Sequence, residues 1–171
     1  IFNKKRDLLI VVGGGSLPPQ LYDRPHEDEL QPNRDRMEEQ VIHYCVAHGI
    51  PIIATCRGMQ YINVMFGGKL WYHTKLPVNR TRGVDHQVWL VKEQRNIWVN
   101  NYHSDCIYEE GLASCFEPLA IDRENHVVEA YGSDEMEILA LQWHPERRFE
   151  TANAYEETRK IILDFIQKYV K

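Results

Sequence analysis

The clearest hydrophobic pattern is a set of short, unbroken apolar runs, each ended by a residue that can turn the chain. Leu8–Val12 is rich in branched side chains and stops at Gly13-Gly14-Gly15. Such a run reads as a strand buried on both faces, as in a parallel sheet. From about Arg34 to Ala47 the period changes, and Met37, Val41, Tyr44 and Cys45 recur at helical spacing before Gly49, which suits a helix C-cap. A second apolar run, Pro51–Thr55, leads into a helix from about Gly58 to Phe66, ended by Gly67-Gly68. Strand, helix, strand, helix in this order predicts a right-handed βαβ crossover and an α/β fold with a parallel sheet.

The second half has a different pattern. His86–Val91 and Ile97–Asn100 read as short strands. Glu117–Asp122 and His126–Tyr131 flank the turn Arg123-Glu124-Asn125 as a hairpin, and Ile138–Gln142 is a further apolar strand. Ala154–Val170 sets Ile161, Ile162, Phe165, Ile166 and Tyr169 on one helical face, which should cover one side of the sheet. The pattern holds no repeat, low-complexity tract or linker, so residues 1–171 are expected to form one domain.

Composition narrows the classes of function. The 171 residues are 43% hydrophobic and 11% aromatic, ordinary values for a globular chain. A net charge of −5 gives no basic footprint for nucleic acid. No apolar run approaches the roughly 20 residues that span a bilayer, so no membrane partner is expected. The four cysteines, Cys45, Cys56, Cys106 and Cys115, form no CxxC pair. That argues against a metal site, and free thiols in a reducing cytoplasm are the simplest reading. Nothing in the pattern calls for a cofactor.

The candidate chemistry sits where two apolar strands end. Thr55-Cys56-Arg57-Gly58 has the form of a nucleophile elbow with sulfur as the nucleophile. A cysteine heading a helix lies near unpaired N–H groups and the positive end of the helix dipole, which favour thiolate over thiol. The strand ending at Gln142 is followed by Trp143-His144-Pro145-Glu146. His144 would be the base that pairs with Cys56, and Glu146 would hold the imidazole in one tautomer. The glycine loop Gly13–Gly15 ends a strand expected beside that of Cys56. Backbone N–H groups from Gly14, Gly15 and Arg57 could converge there on an oxyanion. A phosphate-binding glycine loop is the competing reading. It fits less well, because no helix begins directly after the glycines and no Lys-Ser/Thr follows.

The combination Cys56-Arg57-Gly58-Met59-Gln60 with His144-Pro145-Glu146 resembles the class I glutamine amidotransferases, and within them the γ-glutamyl hydrolases. Gly13-Gly14-Gly15 with Pro19 and Leu21-Tyr22, Arg34-Asp35, Gly67-Gly68-Lys69-Leu70, Asn100-Asn101-Tyr102-His103 and Val127-Val128-Glu129-Ala130 extend the resemblance over nearly the whole chain. It implies a flavodoxin-like three-layer sandwich around a mostly parallel sheet, with an antiparallel extension and a first strand ahead of Ile1. It also implies a Cys56–His144–Glu146 triad, with Gln60, Tyr102, His103 and Ser104 near a bound glutamyl group. Glu129 reads as a buried polar contact, and His103 is open between a binding and a structural role.

The implied reaction is hydrolysis of a γ-glutamyl amide of a small molecule through a thioester. Two departures bear on the substrate: Ser16 stands where many of these hydrolases have aspartate, and the stretch between His86 and Asn100 is shorter than in γ-glutamyl-aminobutyrate hydrolases. The shortening is similar to that of γ-glutamyl-CDP-amidate hydrolases, which act in capsule biosynthesis. The segment Lys69–Arg82, with His73, Lys75, Arg80 and Arg82 and no acidic residue, would suit a phosphate-bearing leaving group. It could equally be a solvated loop. The alternative function is a glutaminase subunit that supplies ammonia to a separate synthetase, and a homodimer is also compatible.

Overall fold

The computed structural model describes residues 7–23, 30–72 and 82–170. In chain order the elements are β1 (Leu9–Val11), α1 (Pro32–His48), β2 (Ile52–Thr55), α2 (Arg57–Met65), β3 (His86–Leu90) and β4 (Arg95–Val99). They are followed by β5 (Glu117–Asp122), β6 (Val127–Ser133), β7 (Ile138–Leu141) and α3 (Ala154–Tyr169). The strands form one sheet in the order β1-β2-β7-β6-β5-β3-β4. β1, β2 and β7 are parallel, and every pairing from β7 to β4 is antiparallel.

The layers follow from strand alternation. Ile52 and Ala54 of β2, with Ile138 and Ala140 of β7, face a core shared with Ile42 and Cys45 of α1 and with Met59 and Ile62 of α2. Their neighbours Ile53, Leu139 and Leu141 face the opposite core, shared with Phe165 of α3. Unbroken apolar runs therefore fill both faces of the central strands. The α/β class, the three layers, the βαβ unit and the apolar stripe of α3 match the sequence expectation. The parallel part is confined to the three strands beside the site.

Two details differ from that expectation. β1 is not buried on both faces: Val11 is buried, but Ile10 is 57% exposed and Val12 53%. Among the described residues β1 is the edge of the sheet, and α3 packs toward β4 instead of over it. The buried face of α1 is Asp35, Ile42 and Cys45, while Met37 and Tyr44 point to solvent. The helix is rotated because Asp35 and Glu38 both pair with the buried Arg57, so a polar contact sets its face. Gly49 caps α1 in the left-handed conformation, at φ 59°, as its position suggested. No helix among the described residues is long and apolar enough to cross a membrane. His73, Lys75 and Arg80 lie outside the described residues.

Candidate active site

Cys56 lies between β2 and α2 with φ 51° and ψ −112°, a strained conformation for a residue with a Cβ. Two contacts hold the strain. The Cys56 N–H donates to the Leu141 carbonyl at 2.8 Å, and the Gln60 N–H donates to the Cys56 carbonyl at 3.1 Å. Gly58 permits the turn, since a Cβ there would stand 2.3 Å from the Val11 carbonyl oxygen. Glycine is therefore required for α2 to begin this close to β1.

Sheet register brings the histidine to the cysteine. Thr55 pairs with Leu141, so Cys56 and His144 leave parallel neighbours at the same end. Gly13 completes the junction. A Cβ on it would lie 2.7 Å from His144 Cε1 and 3.6 Å from Cys56 Cβ, so only glycine lets both side chains close on the loop. His144 is 3% exposed, and its Nδ1–H donates to Glu146 Oε1 at 2.6 Å. Nδ1 is thereby committed to the carboxylate, which leaves the Nε2 lone pair for other chemistry. Its backbone is clamped from both sides by Asn100, whose Oδ1 accepts the His144 N–H at 2.9 Å and whose Nδ2 donates to the His144 carbonyl at 2.8 Å. Tyr102 packs edge-on against the imidazole, with ring centroids 5.7 Å apart. The preceding Trp143 donates to Thr158 of α3 at 3.1 Å, which ties the end of β7 to the opposite layer.

The electrostatics correct one expectation. Burial pushes the Cys56 thiol up to about 11, although the Arg57 N–H and the Arg147 charge pull the other way. Burial also holds His144 below the usual imidazole range, against the raising effect of Glu146. Both shifts oppose a standing thiolate–imidazolium pair and favour a thiol beside a neutral imidazole. Burial acts to raise Glu146 as well, but the hydrogen bond from His144, its own backbone N–H and the nearby His144 and Arg147 charges together keep this carboxyl below its ordinary value.

Two cavities meet at Cys56. The smaller, about 180 Å³, includes Gln60, Tyr102, His103, Ser104 and Asp105 in its wall. The larger, about 820 Å³, is lined by His144 and Glu146 and by the apolar Ile10, Val12 and Ile162. Gly14, Gly15, Arg82 and Tyr102 border both. The predicted residues Gly14, Gly15, Gln60, Tyr102, His103, Ser104 and Arg82 are thus assembled around Cys56, His144 and Glu146. Arg80 cannot be placed, because it lies outside the described residues.

The sequence assigned a role only to the backbone N–H of Arg57, and its side chain lies elsewhere. It turns into the protein, pairs with Asp35, and donates from Nη1 to Glu38 Oε2 at 2.5 Å. Only its backbone N–H remains at the sulfur. Arg34 also bonds Glu38, at 2.7 Å, and donates from Nη2 to the Val12 carbonyl at 2.7 Å, so this charged cluster braces the strand end that carries the glycine loop. Sequence reasoning missed the role of Asn100 and that of Asp105, whose carbonyl accepts from Gln60 at 3.1 Å and from His103 at 3.0 Å. Asn100 was visible inside a family motif, but nothing local to it points to His144.

The sheet order, the strained cysteine and the histidine at the end of β7 define a glutamine amidotransferase-like α/β protein. A candidate GMP synthase component from Thermoplasma acidophilum has the same fold. The match has a TM-score of 0.63 at 21% identity and covers 94% of this chain and 73% of that one. Residues 3–146 match the Peptidase C26 family, and the chain belongs to that family. It is 30% identical over 164 residues to the glutamine amidotransferase-like protein YvdE of Lactococcus lactis, covering 85% of this chain and 68% of that protein. It is 29% identical over 171 residues to the γ-glutamyl-γ-aminobutyrate hydrolase PuuD of Escherichia coli, covering 83% and 65%. The chain spans about two-thirds of the length of these two relatives, and 53% of a glutamine amidotransferase-like relative from Mycobacterium tuberculosis.

Proposed function

We propose that this protein hydrolyses the γ-glutamyl amide bond of a small γ-glutamyl compound through a thioester on Cys56. The observation that carries the reading is the His144–Glu146 pair set beside a strained cysteine where two cavities meet. His144 Nε2 takes the thiol proton as sulfur attacks the amide carbonyl. The charge that develops on the carbonyl oxygen meets the N–H groups of Gly14, Gly15 and Arg57. The imidazolium then gives its proton to the leaving amine as the C–N bond breaks. In the second half, Nε2 takes a proton from water, which attacks the thioester and releases glutamate and the thiol. Starting from a neutral pair suits this scheme, because the proton moves only as the sulfur attacks.

The small polar cavity fits a glutamyl group, and the larger one leaves room for the departing amine. Arg82 borders both, which favours an anionic leaving group of the CDP-amidate or aminobutyrate type. A second reading, a glutaminase supplying ammonia to a synthetase, is favoured by the amidotransferase-like name of the Lactococcus lactis relative. The test is glutamate release across a panel of γ-glutamyl amides, nucleotide amidates and glutamine, with intact-mass detection of a glutamyl adduct. Release from small amides by the isolated chain supports the hydrolase. Release from glutamine alone, dependent on an added synthetase, supports the second reading. An adduct on a Cys56→Ala variant rules out the assigned nucleophile.

A further inference from the structure

The two groups of N–H donors assigned to the oxyanion leave the sheet on separate strands. The ladder between β1 and β2 ends at the pair Val11–Ala54, so sheet pairing does not reach Gly14 and Gly15 on one side or Arg57 on the other. Side chains of α1 span that gap. Glu38 gives one oxygen to each half: Oε1 accepts from Arg34 Nε at 2.7 Å, and Oε2 accepts from Arg57 Nη1 at 2.5 Å. Arg34 carries the link to the loop. Its Nη2 donates to the Val12 carbonyl at 2.7 Å, and its Nη1 packs on Gly14, where a Cβ would collide with it. Arg57 carries the link to the elbow, because its side chain and its backbone N–H belong to one residue. A Cβ on Gly14 would also stand 3.0 Å from Arg57 Cδ, so the loop lies against both arginines.

The bridge has little freedom. Arg34 Nη1 donates to Gln31 Oε1 at 3.1 Å, and Arg57 is held a second time by Asp35. The Glu38 side chain is 15% exposed and that of Arg57 2%, so water screens their contact weakly. A guanidinium has only donors, and a carboxylate can offer an acceptor oxygen to each of two such groups. Glutamine at position 38 would keep one acceptor and turn an NH₂ group toward the other arginine. We propose that Glu38 is a positioning residue that sets the spacing between the Gly14–Gly15 and Arg57 N–H groups, acting through Arg34 and Arg57. Glu38 is not among the residues that line the two cavities at Cys56. Its effect falls on the carbonyl oxygen as that atom gains charge, since donors placed for an oxyanion contribute most in the transition state.

The kinetic part rests on the proposed hydrolase reading; the bridge itself does not. Glu38→Gln preserves side-chain volume and removes one arm. With γ-glutamyl-p-nitroanilide, its kcat should fall about 10- to 100-fold, the scale of loss when an oxyanion donor is misplaced, while KM stays within about two-fold. Alkylation of Cys56 by iodoacetamide, followed by peptide mass, should keep its rate, because displacement of iodide builds no oxyanion. Amide hydrogen exchange at Gly14 and Gly15 should quicken in the variant without any substrate. Arg34→Lys should give the same split between kcat and KM, because one ammonium cannot replace a fork that reaches Glu38, Gln31 and Val12 from separate nitrogens. A loss of stability with kcat of the folded variant unchanged overturns the proposal, as does a parallel fall in alkylation, which would place the effect on the thiol. If Glu38→Gln does not fold, Arg34→Lys decides. If the wild type cleaves no γ-glutamyl compound, the hydrolase reading falls and exchange alone judges the bridge: unchanged rates at Gly14 and Gly15 overturn it.

Discussion

Two histidine–carboxylate pairs flank the same short wall, and they differ in where the carboxylate sits. In one, Glu146 has 57% of its side chain exposed and meets His144 Nδ1 at 2.6 Å. In the other, Glu129 is fully buried and meets His103 Nε2 at 3.6 Å. An exposed carboxylate is screened by water, so its charge binds the imidazole without fixing that ring's protonation state. His144 can then gain and lose a proton during a turnover. A carboxylate without solvent interacts strongly with the groups around it, so it holds them in one arrangement. The first arrangement suits a residue that must change charge, and the second suits one that must hold a shape.

The largest effects should fall on the exposed pair and its cysteine. Cys56→Ala should lower glutamate release by several orders of magnitude with an unchanged circular dichroism spectrum, and His144→Ala should approach that loss. Glu146→Gln should cost less, because the imidazole remains and only its orientation and charge support are lost. A Glu146→Gln variant more damaged in kcat/KM than His144→Ala would reverse the assigned roles.

Stability should show the opposite order. Glu129→Ala removes a fully buried carboxylate faced by two imidazoles and should cost about 3–5 kcal/mol in urea unfolding. Glu146→Ala removes a half-exposed carboxylate and should cost less than about 1 kcal/mol. Equal losses would erase the distinction between the pairs.

The pH dependence of kcat/KM refines the comparison. His144 must be neutral to accept the thiol proton, and burial holds it below its ordinary value. Activity should therefore persist on the acid side past the point where a free imidazole, near about 6.5, would be protonated. Glu146 favours the charged ring, so Glu146→Gln should move this acid limb to still lower pH. A limb that moves upward would place the carboxylate elsewhere in the mechanism. The smallest effect belongs to Arg82. Arg82→Ala should raise KM a few-fold for a phosphate-bearing γ-glutamyl amidate and leave a neutral anilide unchanged. Added salt should mimic the substitution for the charged substrate alone, since exposed charges are screened within roughly 8–10 Å at physiological salt. Equal effects on both substrates would assign Arg82 to packing.

Much of this design is local and was legible in the chain. Apolar runs ended by glycine gave β2 and β7, because a strand buried on both faces has no polar side to show. Cys56 followed by Gly58 marked the elbow, and His144 with Glu146 two positions on marked the pair, because close sequence spacing alone brings those groups together. The helical stripe of α3 was equally plain.

The rest depended on partners far away in sequence. The face of α1 was misread because Asp35 and Glu38 are held by Arg57, a charge contact that outweighs the apolar stripe of Met37 and Tyr44. The exposure of Ile10 and Val12 follows from the place of β1 in the sheet order, which hydropathy does not encode. Burial opposes the expected thiolate, because helix position is a local property whereas the burial that raises Cys56 is contributed by many segments. The sequence by itself determined the βαβ unit, the cysteine elbow and the histidine–glutamate pair, since each arises from neighbours along the chain. Only the tertiary structure decided the burial of Cys56 and His144, the Asn100 clamp and the buried Glu129 cluster. Solvent exclusion and contacts between β3, β6 and the β4–β5 connection exist only once the sheet has closed.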